Sequence, residues 1–104
     1  MHATIRRYEG VDPNRIAELT NKVSQTLVPK LSELPGFRAY YLIEAENGVM
    51  SSIGLLEGAE QADESTRVAA TWMRDEQLET AFPHPPKITS GRIVASEKAV
   101  AVVA

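Results

Sequence analysis

The chain contains no cysteine, one tryptophan and two histidines in 104 residues. Without thiols, there are no disulfides, thiolate zinc sites, iron–sulfur clusters or cysteine nucleophiles, and a cytoplasmic setting is expected. His2 and His84 are far apart in sequence and have no cysteine to supplement them, so no metal is expected. Long apolar runs are missing too. The longest is the short tail Ala99 to Ala104, and the segment His2 to Arg7 has no apolar stretch, so neither secretion nor a membrane span is expected. Charge of one sign is not in excess: 11 basic and 14 acidic residues leave a net charge of -3, which gives no reason to expect nucleic acid or an anionic membrane as partner. Phosphate loops, dinucleotide fingerprints and GxSxG elbows are absent, which excludes the commonest nucleotide- and serine-dependent enzymes.

What remains is 43% hydrophobic and 24% charged, the composition of one globular domain spanning residues 1–104. Ala3 to Glu9 alternates branched and basic residues and predicts a strand ended by Gly10. Asp12-Pro13 is a helix start, since the aspartate accepts first-turn amides and a proline there forfeits no bond. Ile16, Leu19, Val23, Leu27, Leu31 and Leu34 then form one apolar stripe. Pro29 lies inside it and predicts a kink near Val28. Phe37 to Ala45 and Val49 to Glu57 predict a hairpin about Asn47-Gly48. With a two-residue loop, Glu46 faces Val49 and Tyr41 faces Gly54; a three-residue loop swaps these partnerships. Ala59 to Phe82 predicts a second helix, with a break near Arg74-Asp75-Glu76. Pro83-His84-Pro85-Pro86 is a loop, and Lys87 to Lys98 is a fourth strand.

The order β-α-β-β-α-β implies an α+β, ferredoxin-like sandwich. Its two helices cover only one face of the sheet, yet the hairpin carries large apolar side chains on both. A homodimer that buries the second face is therefore expected. The tail Lys98 to Ala104 is apolar enough to extend the last strand or lie on the partner, and is equally compatible with disorder. An RNA-recognition domain shares the element order, but Val49 to Leu56 has no stacking aromatics.

Pro35-Gly36-Phe37 at the start of the second strand, Tyr40-Tyr41 within it, the hairpin into Leu55-Leu56-Glu57 and the helix after it resemble the dimeric α/β barrel superfamily, and within it the antibiotic biosynthesis monooxygenase-like domains. The resemblance covers the whole chain. It implies a cofactor-independent oxygenase acting on a small aromatic phenol or quinol, with no cofactor of its own. Relatives that open haem use a strand asparagine, a helical tryptophan and an axial histidine. The corresponding positions fall near Arg6, Ser65 and Asp75, so haem cleavage is not expected.

The candidate site residues each have a plain reading. Trp72, on a helix of small residues, is a pocket wall for a flat substrate or a packed core ring. Tyr41 is a proton-transfer group above the space left by Gly54, or a tyrosine filling that space. Arg92 holds an anionic oxygen from the last strand, or forms an edge salt bridge. His84 contacts substrate, or is an exposed loop residue between prolines. Only one of Arg6 and Arg7 can face inward, and surface solvation is the commoner fate. The alternative function is a non-catalytic homodimer that binds a small apolar ligand. An inward polar group beside the hollow discriminates the enzyme from it.

Overall fold

Strand β1 (His2–Tyr8) runs through the middle of the sheet in the computed structural model, which describes residues 1–97. Its two-residue period places Thr4, Arg6 and Tyr8 on a buried face, with Ile5 and Arg7 exposed on the other. Beyond Gly10, the Asp12 carboxylate accepts the Asn14 amide at 2.9 Å. Pro13 opens a short 3-10 turn, as its fixed φ favours.

The first helix follows in three pieces: α1 (Ile16–Lys22), a π-helical turn (Val23–Leu27) and α2 (Val28–Ser32). The irregularity lies just ahead of Pro29, where the kink is expected. The Val28 amide reaches back five residues to the Val23 carbonyl, and Pro29 contributes no amide of its own. Leu19, Val23, Leu27 and Leu31 are all buried. Steps of four residues drift about 40° each on a regular α-helix. The wider π turn takes up part of that drift and keeps the leucines on one side.

The hairpin joins β2 (Phe37–Glu44) to β3 (Met50–Leu56) through the loop Glu46-Asn47-Gly48, above an Ala45 amide to Val49 carbonyl bond of 2.9 Å. The three-residue loop is therefore realised, and the two-residue register is corrected by one. Tyr40, not Tyr41, stands opposite Gly54, and Tyr41 stands opposite Ile53. The cause is partly tertiary. The Val11 amide donates to the Gly48 carbonyl at 3.0 Å, and Asn47 and Gly48 have φ of 60° and 72°. A Cβ on Gly48 would stand 3.0 Å from the Val11 carbonyl oxygen. A pattern read within the hairpin contains none of this.

Helix α3 (Ala59–Asp75) ends where the break is expected; Gln77 takes a φ of 55° and a 3-10 turn covers Glu79–Ala81. Strand β4 (Lys87–Arg92) is shorter than the predicted Lys87 to Lys98 and is exposed throughout. The expectation for the tail Lys98 to Ala104 lies outside the described residues.

All strand pairs are antiparallel, in the order β2-β3-β1-β4. This is the ferredoxin-like α+β sandwich. Leu19, Leu27, Leu31, Met50 and Trp72 fill the space between helices and sheet. The opposite face carries Ala3, Ile5, Ala39, Tyr41, Ile43, Ile53 and Leu55, with Tyr41 56% and Ile43 45% exposed. Among the described residues, no helix is long and apolar enough to cross a membrane.

Candidate functional site

Between α3, the first helix and the sheet lies a cavity of about 30 Å³. Its walls come from the inward positions of three strands and from two helices: Arg6 and Tyr8 on β1, Tyr40 on β2, Ser52 on β3, Trp72 and Met73 on α3, with Phe82 beyond it. Four aromatic residues and one arginine thus share the walls of this cavity. Tyr8 and Phe82 pack with centroids 4.6 Å apart at 44°, a tilted arrangement favoured by ring quadrupoles.

Trp72 is 3% exposed, and its indole N–H needs a partner at that depth. It donates to the Thr26 hydroxyl at 2.7 Å, and that hydroxyl donates to the Lys22 carbonyl at 2.7 Å. Thr26 lies in the π-helical turn. One hydroxyl therefore links that turn to the ring.

Arg6 is 6% exposed. Its Nη2 donates to the Thr66 hydroxyl at 2.6 Å, and Thr66 donates to the Ala62 carbonyl at 3.1 Å. None of the ion pairs among the described residues includes Arg6. The same guanidinium walls a second cavity of about 10 Å³, bounded by Tyr40, Gly54 and Ser65 with apolar side chains of Leu31, Phe37 and Leu56. Among the described residues, no carboxylate or imidazole lines either space.

Burial raises the Tyr8 hydroxyl above the ordinary tyrosine range, against the opposing pull of the Arg6 charge. Burial raises Tyr40 as well, against Ser52 and Arg6. Both phenols are therefore neutral donors at physiological pH, not bases. Among the described residues, no cluster of histidine, aspartate and glutamate is arranged to hold a metal.

Of the sequence-predicted site residues, Trp72 lines the larger cavity and Gly54 the smaller. Tyr41 lies on the opposite face of the sheet, because the one-residue change of register turns it outward. Arg92 shares its parity with Thr4 but ends the exposed edge strand and lines neither cavity. His84 is exposed in the proline loop, its ring beside Gly10. Sequence reasoning missed Arg6, Tyr40 and Thr26 as parts of one site. The available signal was parity, since Arg6 sits two residues from both Thr4 and Tyr8 on one strand.

No family matches the chain by sequence, and no curated protein does. Solved structures do match. The NE2512 protein of Nitrosomonas europaea, described as of unknown function, has a TM-score of 0.74 at 17% identity, covering 96% of this chain and 95% of that one. The ActVA-Orf6 monooxygenase of Streptomyces coelicolor, solved with Nanaomycin D, has a TM-score of 0.73 at 14% identity, covering 95% and 92%. A structure described as an antibiotic biosynthesis monooxygenase has a TM-score of 0.65 at 16% identity, covering 91% and 100%. The chain has the fold of antibiotic biosynthesis monooxygenase-like proteins over nearly its whole length.

Two measurements check this geometry. Thr26→Val removes the indole's acceptor at nearly constant volume and is expected to destabilise the fold by about 1–3 kcal/mol, the range for a buried donor left unpaired. Urea unfolding checks it, with a shift in Trp72 emission as the local signature. Because burial raises Tyr8 and Tyr40 above the ordinary tyrosine value of about 10, their contribution to stability is complete below that pH and is lost as pH rises through the folded values. Urea midpoints are expected to fall above about pH 10 and to fall less steeply in Tyr8→Phe or Tyr40→Phe.

Proposed function

We propose that the protein is a homodimer in which each subunit binds a small aromatic quinol in the cavity between sheet and helices and oxygenates it without a cofactor. The observation that carries this reading is the inward guanidinium of Arg6 among the rings of Tyr8, Tyr40, Trp72 and Phe82. A purely apolar ligand has no need of such a group. The likeness in fold to a monooxygenase solved with Nanaomycin D supports the same reading.

The chemistry balances with a quinol as its own reductant. A quinol and dioxygen give a hydroxyquinone and water, with one oxygen atom entering the ring and the other leaving as water. Both electrons that a flavin would otherwise supply come from the quinol. The ring walls orient the substrate and exclude water, Arg6 faces the developing negative oxygen, and neutral Tyr40 donates a hydrogen bond. In its closed form the cavity has room for a water or two. A ring enters by displacing partly buried walls, Met73 and Phe82 among them. Methionine adapts readily to such a change.

The dimer follows from the second sheet face. Ile5, Tyr41, Ile43, Ile53 and Leu55 present apolar surface that the helices do not reach, and a two-fold partner offers a matching surface.

Oxygen uptake with a panel of quinols is the decisive assay. One dioxygen is expected per quinol consumed, and Tyr40→Phe is expected to lower kcat/KM by about 10- to 100-fold, the value of a hydrogen bond to a charged group. No uptake above buffer with any quinol defeats the enzyme reading. Sedimentation at micromolar concentration is expected to show a dimer that Leu55→Lys converts to monomer; a monomeric parent protein defeats the assembly.

A further inference from the structure

The cavity has an electrostatic asymmetry that an oxygenase reading alone does not require. Arg6 is more than nine-tenths buried, and among the described residues its one side-chain hydrogen bond goes to a neutral hydroxyl and no carboxylate lines either cavity it walls. A buried cation without a counter-charge is costly to the fold. Proteins normally pair such a group or leave it in water.

The space beside it is also not imposed by packing. Gly54 has an ordinary strand conformation, and a Cβ there would meet Leu56 Cδ1 at 3.7 Å and the Thr4 carbonyl oxygen at 4.0 Å, both ordinary contacts. Alanine would fit, yet glycine leaves the gap next to Arg6 and Tyr40 open. Three features thus converge on one residue: a guanidinium in none of the ion pairs among the described residues, two cavities that Arg6 lines, and aromatic walls.

We infer that this site selects aromatic monoanions, the ligand bringing to Arg6 the counter-charge that no described residue supplies. The inference rests on the cavity assigned above, but not on oxygenation. Its chemical class is a ring bearing one ionised oxygen group, either the enolate oxygen of an acidic hydroxyquinone or quinol, or a carboxylate. Ordinary phenols are disfavoured. At Tyr8 and Tyr40, burial outweighs the Arg6 charge and raises the phenol above its ordinary range. A ligand phenol of similar acidity meets the same balance, whereas a ligand already ionised in water brings its charge with it.

Calorimetric titration at neutral pH tests this with three probes of similar shape: the anion of a hydroxynaphthoquinone, naphthoate and neutral naphthamide. The inference expects at least one anion to bind tenfold or more tighter than the amide, and the tighter of the two identifies the oxygen group. Arg6→Met keeps the stem and removes the charge, so it is expected to bring anions and amide within about twofold. Its ligand-free thermal midpoint is expected to equal or exceed that of the parent, because an uncompensated charge has been removed. Equal affinity for anions and amide, no binding of any probe, an anion preference that survives Arg6→Met, or a lower midpoint in the variant each overturns the inference. Oxygen uptake that persists despite such a result leaves the oxygenase reading in place. Anion-selective binding without uptake has the opposite meaning.

Discussion

Alternation along β1 is the constraint on which both faces of the sheet depend. A strand that buries Thr4 and Tyr8 must carry Arg6 inward with them and turn Ile5 outward. β1 is bonded to β3 on one side and β4 on the other, so a slip of one residue would break two ladders and bury Arg7 in place of Tyr8. The inward charge and the outward isoleucine are thus two results of one geometric choice. The first makes the cavity polar at one point, and the second extends the apolar surface to which Ile53 and Leu55 contribute.

A second dependence links the helix irregularity to the cavity wall. Pro29 removes an amide and the turn before it widens. Thr26, within that turn, donates to the Lys22 carbonyl and receives the Trp72 indole N–H. The irregular stretch of one helix thus carries the hydroxyl that holds an aromatic side chain on another. The ring is both buried core and cavity wall, so the two readings of Trp72 describe one residue.

Most of the fold was legible because its signals are local and repetitive. Asp12-Pro13, the leucine stripe, Asn47-Gly48 and the break after Arg74 each act within a few residues, and each appears where the chain indicates. The hairpin register was not fully legible, because the loop is tied to Val11, a residue outside the hairpin. That single residue of slip exchanges Tyr40 for Tyr41 at Gly54. The site suffered more, since composition favours a solvated arginine on a short basic strand. What buries Arg6 is the packing of α3 over it, with Thr66 sixty residues away. No local pattern contains that contact. Arg92 illustrates the converse: its parity is inward, but it ends an edge strand that is exposed along its whole length.

The size of the electrostatic effect can be bounded from elementary terms. An anion about 4 Å from a guanidinium gains about 4 kcal/mol at an effective dielectric of about 20, against about 1 kcal/mol in water. The difference, about 3 kcal/mol, corresponds to roughly a 100-fold preference over a neutral ring of the same shape. The anion's own desolvation works against this preference, which is why Tyr8 and Tyr40 are raised above the ordinary tyrosine range beside the same charge. Those two residues set the scale: for a group of tyrosine-like acidity, burial prevails. A more acidic ligand reverses the balance, because no free energy is then needed to ionise it and only its transfer opposes binding. The site distinguishes ligands by their acidity in water, and the aromatic walls then act on whichever anions pass that test.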